Sequence, residues 1–168
     1  ILPNQVAKIF VELGGTGPVL DVGAGTGLAG QALSKLGINP IDALDLSGAM
    51  LEVALEKKIY RNFFTYDITQ PIVTNNYSYQ GIISSGTFTH GHVGPNAIDN
   101  LITVADDGAF FALSINKNHW IEKGFAKKFE SLNGVIEKLL LHNVNIYGEN
   151  SKGAHCNDIG IVATFWKA

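Results

Sequence analysis

Hydrophobic positions along the chain follow two spacings that alternate with each other. Short apolar or aromatic runs are typical of buried strands, whereas apolar residues that recur every three to four positions are typical of helices. The runs predict strands at residues 19–22, 41–45, 60–66, 81–85 and 109–114. The helical spacing predicts helices at residues 4–13, 28–36, 47–55, 95–105 and 116–132. Because parallel strands need helical crossovers, this alternation favours an α/β fold with a mostly parallel sheet.

The end of the chain follows a different pattern. Residues 135–144 and 159–166 predict two strands, separated by a polar stretch that contains Gly148 and Gly153. Two late strands without a helix between them are expected to pair antiparallel. We therefore predict a single domain over residues 1–168, with a seven-stranded sheet and an antiparallel strand near the C-terminus.

A glycine-rich turn joins the first predicted strand to the helix that follows it. Gly23, Gly25 and Gly27 occupy alternate positions between residues 19–22 and 28–36. Glycine tolerates positive φ and lets a ligand approach the backbone closely. The following helix also points free N–H groups into the same space. The turn is therefore expected to bind a ligand, rather than to serve only the packing of strand against helix.

Two carboxylates beside this turn bear on which ligand it takes. Residues 25–30 satisfy the G-x-G-x-x-G pattern of dinucleotide-binding proteins, so NAD is one candidate. Asp21, however, precedes the first glycine by two residues, where it would repel a pyrophosphate and suit a ligand with a cationic amino-acid end. Asp45 ends the second strand about 20 residues after the glycines, the place where either class of ligand would have its ribose hydroxyls bound.

The composition narrows the classes of partner. Of the 168 residues, 46% are hydrophobic and 16% are charged, and the formal net charge is -3. This charge gives no basic footprint for nucleic acid, and no stretch approaches the roughly 20 apolar residues that span a bilayer. The single cysteine, Cys156, excludes an internal disulfide and a thiolate metal cluster. We expect a cytoplasmic monomer or homodimer that acts on a small molecule and binds neither nucleic acid nor membrane.

The glycine turn carries a family resemblance. Residues 21–27 read Asp-Val-Gly-Ala-Gly-Thr-Gly, which resembles motif I of the class I S-adenosyl-L-methionine (SAM) methyltransferases. The resemblance implies a three-layer Rossmann-like fold, SAM as the cofactor, and transfer of its methyl group to leave S-adenosylhomocysteine (SAH). In that class the motif holds the methionine part of the cofactor. Carried over by position, the residues at that end are Asp21, Gly23, Ala24, Gly25, Thr26, Gly27 and Leu28.

The run after the fourth strand narrows the resemblance. Residues 85–94, Ser-Gly-Thr-Phe-Thr-His-Gly-His-Val-Gly, are similar to a segment of the methyltransferase-like proteins named for the Williams–Beuren syndrome region, as are residues 45–51 and 153–156. Members of that family usually begin with a helical segment that packs over the cofactor. We expect residues 1–168 to lack this N-terminal segment. The resemblance implies that the ribose, the adenine and the sulfonium contact Asp45, Leu46, Met50, Asp67, Ile68, Ser85 and Thr87.

Two histidines in this run are candidates for catalysis. His90 and His92 follow the fourth strand, and imidazole titrates in the range that a general base needs. Alternatively, they fix the shape of the loop or orient the substrate without moving a proton. The sequence offers no clear cluster of further ligands, so a metal site is not expected. A non-catalytic SAM- or SAH-binding protein would share every cofactor residue, and an NAD-binding oxidoreductase is the third alternative.

Overall fold

The strands of the chain form one mixed seven-stranded sheet. A computed structural model describes residues 1–73, 77–89, 93–145 and 159–168. The strands are β1 (Val19–Val22), β2 (Ile41–Asp45), β3 (Phe63–Thr65), β4 (Tyr79–Phe88), β5 (Ala105–Asn116), β6 (Ile136–Asn145) and β7 (Ile159–Lys167). The helices in these residues are α1 (Leu2–Glu12), α2 (Leu28–Lys35), α3 (Gly48–Leu55), α4 (Ala97–Thr103), α5 (Lys117–Glu122) and α6 (Phe125–Ser131).

The order of the strands is β3-β2-β1-β4-β5-β7-β6, with the strand order reversing between β1 and β4. Strands β1 to β5 pair in parallel, and β7 lies antiparallel between β5 and β6. This arrangement confirms the predicted fold class, including the antiparallel strand near the C-terminus. In open sheets of this type, ligands bind at the carboxyl ends of the strands beside the point of reversal, which here are the ends of β1 and β4.

The two faces of the sheet are covered by different helices. Along β5, Phe110 and Ala112 pack with the residues of α1 and α2, whereas Phe111 and Leu113 pack with those of α4 and α6. This alternation follows from the two-residue period of a strand. Burial of each large apolar side chain contributes about 1.5–3 kcal/mol, so the two apolar layers hold the helices against the sheet.

Strand β4 is longer than its apolar run predicts. The prediction ended the strand at Ser85 and assigned residues 86–95 to a loop, but β4 continues to Phe88. A register shift between Ser84 and Phe88 accommodates the polar residues, and the Gly86 N–H donates to Ser114 Oγ at 2.9 Å. The irregular end of β4 therefore carries side chains into the region where a ligand is expected.

Other elements differ from their predicted bounds. The single helix predicted over residues 116–132 is two helices, because Gly124 adopts a left-handed conformation between α5 and α6. The aromatic residues of this region pack in the core, with Phe125 and Phe129 buried and Trp120 stacked on Phe129. Strand β3 is shorter than predicted, and β5 begins at Ala105, the last residue of the predicted helix, rather than at residue 109. None of the helices in the described residues is long and apolar enough to span a membrane.

Candidate functional site

The glycine turn after β1 has a backbone that other residues could not adopt without strain. Gly23 has φ +65° and Gly25 has φ +54°. A Cβ on Gly23 would lie 1.9 Å from Thr87 Oγ1, because the Thr87 hydroxyl crosses the turn and donates to Val22 O at 3.1 Å. A Cβ on Gly25 would meet no atom within 4 Å, so this glycine borders open space. The turn is therefore packed against β4 on one side and open on the other.

Asp45, at the end of β2, fixes the open side of the turn. Its Oδ2 accepts a hydrogen bond from the Gly25 N–H at 2.8 Å, and its Oδ1 accepts one from the Ser47 N–H at 2.8 Å. Ser47 in turn caps α3, because its side chain accepts a hydrogen bond from the Met50 N–H. One half-buried carboxylate thus joins the glycine turn to the start of α3, and each oxygen retains a further lone pair for a ligand.

A cleft of about 470 Å³ lies beside Asp45. This volume is within the range of small-molecule sites, and most of the wall is apolar with two carboxylates placed in it. The predicted residues in the wall are Gly23, Gly25, Asp45, Leu46, Met50, Asp67, Ile68 and Thr87. Residues in the wall that the sequence reasoning missed are Leu44, Tyr66, Gly86 and Val93. Leu44 and Tyr66 directly adjoin predicted residues, and Gly86 and Val93 lie in the run of residues 85–94 that carries the family resemblance.

A second cavity, of about 190 Å³, lies on the other side of the turn, at the start of α2. The predicted residues that line it are Gly23, Ala24, Gly25, Thr26, Leu28 and Ser85, and the residues that were missed are Pro3 and Ala29. Gly23 and Gly25 border both cavities. Ser85 is one of the residues in this wall, and its Oγ is buried without a hydrogen-bond partner.

Asp67 is an exposed carboxylate at the far end of the larger cleft. Its Oδ1 accepts hydrogen bonds from the N–H and the hydroxyl of Thr69, at 2.9 Å and 2.7 Å. These two bonds hold the pKa of Asp67 below its usual value. The carboxylate is therefore charged near neutral pH, and Oδ2 is left as an acceptor at the cleft. Ile68 beside it is buried and presents an apolar surface.

Asp21 lies behind the glycine turn and borders neither cavity, although it was predicted at the methionine end of the cofactor. It is fully buried, and its Oδ2 accepts from the Gly30 N–H at 3.0 Å and from Tyr60 Oη at 2.6 Å. Burial raises the pKa of Asp21 from 3.8 to about 6, although the hydrogen bonds from Tyr60 and Gly30 lower it. Gly27 also lies outside both walls and packs against the Tyr60 ring.

The predicted catalytic histidines, His90 and His92, lie outside the described residues, as do His155 and Cys156. Within the described residues, no group of three or more His, Cys, Asp or Glu side chains could hold a metal ion. The assignment of a general base therefore stays a prediction from the sequence.

The sequence that builds this site matches a known family. Residues 19–108, which run from the start of β1 into β5, match the family model described as a methyltransferase domain. The chain belongs to this family. The match covers more than half of the chain and includes the glycine turn, Asp45, Asp67 and the end of β4. It confirms the predicted methyltransferase class. No curated protein sequence matches the chain.

Solved methyltransferase structures share the fold. The N-methyltransferase NodS from Bradyrhizobium japonicum, in complex with SAH, is 13% identical with a TM-score of 0.73, covering 98% of this chain and 85% of that one. The magnesium protoporphyrin IX methyltransferase ChlM from Synechocystis, with bound SAM, is 19% identical with a TM-score of 0.69, covering 98% and 78%. A TehB-like SAM-dependent methyltransferase from Corynebacterium glutamicum is 18% identical with a TM-score of 0.68, covering 97% and 87%. At these identities, the likeness supports the fold alone.

Proposed function

We propose that this methyltransferase binds SAM across the glycine turn and transfers its methyl group to a small-molecule acceptor. The observation that carries the proposal is that two cavities of different character share Gly23 and Gly25 as a common border. A single elongated ligand can pass over the open face of Gly25, with an aromatic ring system in the larger apolar cleft and a polar end in the smaller cavity.

The groups in the larger cleft fit the adenosine part of SAM. Ribose hydroxyls and the adenine amino group are hydrogen-bond donors, and the cleft offers the carboxylates of Asp45 and Asp67 as acceptors. Ile68, Met50 and Leu46 supply apolar surface for the ring. Met50 and Leu46 are 46% and 71% exposed, so a bound adenine would cover them and bury apolar area.

The smaller cavity fits the amino-acid end of SAM. Ser85 Oγ there has no hydrogen-bond partner, and the start of α2 presents backbone N–H groups that suit a carboxylate. Within the described residues, neither cavity is lined by a lysine or an arginine. A pyrophosphate at the start of α2 would meet the same backbone N–H groups but no cationic side chain, and it would lie near the Asp45 carboxylate. This argues against the NAD alternative, in which such a group must be bound.

The bound sulfonium would supply the methyl group as an electrophile, so the chain's own residues have to bind, orient and exclude water. The irregular end of β4 supports this role, because Thr87 is fixed against Val22 and Ser85 borders the smaller cavity. A nucleophile must approach from this end of the sheet. His90 and His92 follow it in sequence, and we propose that they orient the acceptor or accept its proton.

The net charge supports a small-molecule acceptor over a nucleic acid. A chain with a formal net charge of -3 has no overall attraction for phosphate backbones. The test is to incubate the protein with methyl-labelled SAM and a cell extract that has been separated into small molecules, protein and RNA. The proposal predicts label in the small-molecule fraction, and label in RNA or protein alone would contradict it.

Within the methyltransferase class, we propose membership of the methyltransferase-like group named for the Williams–Beuren syndrome region. The support is that the matching Asp-Leu-Ser-x-x-Met-Leu residues at 45–51 include three residues of the larger cleft. Asp45, Leu46 and Met50 therefore resemble that group at positions where a cofactor would be contacted.

The experiment that tests the cofactor is calorimetric titration with SAH of the unmodified protein and of Asp45→Ala. The substitution removes the ribose acceptor and also frees the Gly25 and Ser47 N–H groups, so affinity should fall at least about tenfold. Asp107→Asn is the matched control, because the Asp107 side chain is 87% exposed and borders neither cavity. Unchanged affinity in Asp45→Ala would remove Asp45 from the site, and no binding to the unmodified protein would contradict the proposal.

A further inference from the structure

A tyrosine that lies outside both cavities reaches the carboxylate behind the glycine turn. Tyr60 Oη donates to Asp21 Oδ2 at 2.6 Å, and the Gly30 N–H donates to the same oxygen at 3.0 Å. A Cβ on Gly30 would lie 2.2 Å from Tyr60 Oη, and one on Gly27 would lie 3.0 Å from the Tyr60 ring. Two glycines of the G-x-G-x-x-G pattern are therefore needed to admit this tyrosine to α2.

Few neighbouring groups determine whether the Asp21 carboxyl is charged or protonated. Asp21 Oδ1 is buried without a partner, and Asp45 is the charged group that acts on Asp21 and raises its pKa. The Tyr60 hydroxyl is the side-chain donor that opposes burial and lowers the Asp21 pKa. Other charged residues on the elements around Asp21 are exposed, paired elsewhere, or packed beside Gly27: Lys8, Glu12, Lys35, Asp42, Glu52, Glu56 and Lys57.

We propose, on the basis of the SAM site described above, that Tyr60 is a positioning residue of that site. Its hydroxyl holds the Asp21 carboxylate in the charged form beneath the end of the site that takes the ligand's ammonium group. Asp21 lies two residues before Gly23, which borders both cavities. Gly30, whose N–H donates to Asp21, directly follows Ala29, and Ala29 lines the smaller cavity. In a water-poor surrounding, a buried negative charge attracts a nearby cation more strongly than it would in water.

The proposal predicts a difference between two adenosyl ligands. SAH carries an ammonium group, whereas 5′-methylthioadenosine has the same adenosine and sulfur but lacks the amino-acid end. Loss of the Tyr60 hydroxyl should weaken SAH and leave 5′-methylthioadenosine unaffected. A general loosening of the fold would instead weaken both ligands, because both need the larger cleft.

The test is calorimetric titration of both ligands into Tyr60→Phe. Removing a hydrogen bond to an ionised group is expected to raise the Kd of SAH about tenfold at pH 7, with less than a twofold change for 5′-methylthioadenosine. Tyr79→Phe is the matched control, because Tyr79, like Tyr60, donates to a buried carboxylate: its hydroxyl bonds Asp42 Oδ2 at 2.9 Å. Tyr79 borders neither cavity, so neither Kd should change.

A pH series gives a readout that a structural role would not move. The ammonium of SAH stays protonated below about pH 7, so the ligand does not titrate there. In the unmodified protein, the Kd of SAH should rise as the pH falls below 6, where Asp21 takes up a proton. In Tyr60→Phe this rise should begin at higher pH, because the bond that lowers the Asp21 pKa is gone. The Kd of 5′-methylthioadenosine should show no such rise in either protein.

Gly30→Ala provides a second test of the proposal if Tyr60→Phe does not fold. Gly30→Ala would displace the Tyr60 hydroxyl from Asp21 and should show the same selective loss of SAH. Equal weakening of the two ligands, or no change in SAH affinity or in its pH profile, would overturn the role of Tyr60. Failure of the unmodified protein to bind either ligand would instead contradict the proposed function itself.

Discussion

Replacing Asp21 by asparagine should remove a loss of stability that the protein undergoes as the pH rises toward neutrality, although Asp21 lies in the most recognisable motif of the chain. Asp21 is fully buried, and its pKa is raised from 3.8 to about 6. A raised folded-state pKa means that the folded protein binds the proton more tightly than the unfolded chain does. Between these two pKa values stability therefore falls as the pH rises, and above about pH 6 the loss is complete.

The size of the effect follows from the shift. A displacement of roughly two pKa units corresponds to about 3 kcal/mol, because each unit is worth about 1.4 kcal/mol. Asparagine has no charge to lose, and its Oδ1 can accept the bonds from Gly30 and Tyr60. Its amide group would occupy the position of the unpartnered Asp21 Oδ1, which adds a cost that does not vary with pH.

The assay is urea unfolding of the unmodified protein and Asp21→Asn at pH 4 and at pH 7.5. The stability of the variant relative to the unmodified protein should increase by about 2–3 kcal/mol between the two pH values. Comparing the variant with the unmodified protein at both pH values removes the pH-independent cost and the titration of every group that does not interact with Asp21. Asp107→Asn makes the same chemical change in a residue whose side chain is 87% exposed and serves as the control for a general effect of replacing a carboxylate by an amide. A flat difference for Asp21→Asn would refute the reasoning, since it would mean that burial does not perturb Asp21.

Three further predictions concern stability and turnover. Gly23→Ala should lower the free energy of unfolding in urea by about 2 kcal/mol or more, because it combines positive φ with a clash at 1.9 Å. Gly25→Ala should lower it less, because Gly25 borders open space. Equal losses in the two variants would contradict the contact between Gly23 and Thr87. Asp42→Ala should lower the free energy of unfolding by about 3 kcal/mol, because Arg61 and other donors lose a fully buried acceptor. A loss under about 0.5 kcal/mol would show that the hydrogen bonds to Asp42 are dispensable for stability. His90→Ala should lower turnover more than SAH affinity; an equal loss of both would make His90 a structural residue of its loop.

The parts of the fold that could be predicted are those that depend on local pattern. The apolar runs predicted the seven strands, and the helical repeats predicted every helix except the break between α5 and α6. The spacing from the glycines to Asp45 placed this residue beside the glycine turn, where it lines the larger cleft. These features work because strands and helices bury one face each, with periods that are visible in the sequence. The end of β4 could not be predicted in this way, because Gly86 and Thr87 interrupt the apolar run. Hydrogen bonds from these two residues to Ser114 and Val22 hold the end of the strand in place.

The environment of Asp21 could not be predicted for a different reason. Its charge depends on Tyr60, which lies 39 residues away in sequence and contacts Asp21 only in the folded chain. The sequence pattern explained Gly30 as a ligand-binding glycine, but its lack of a side chain makes room for the Tyr60 hydroxyl. Pro3 lines the smaller cavity for a similar reason: α1 packs against β4 and α2, which brings Pro3 close to the glycine turn. Such contacts are tertiary, and no local period encodes them.

The most direct test of the account is a crystal structure of the protein with SAH. The account predicts the ribose hydroxyls within hydrogen-bond distance of Asp45, the adenine between Ile68 and Met50 with its amino group at Asp67, and the amino-acid end in the cavity beside Ser85. SAH in the opposite orientation, or outside the two cavities that meet at Gly23 and Gly25, would contradict the central claim.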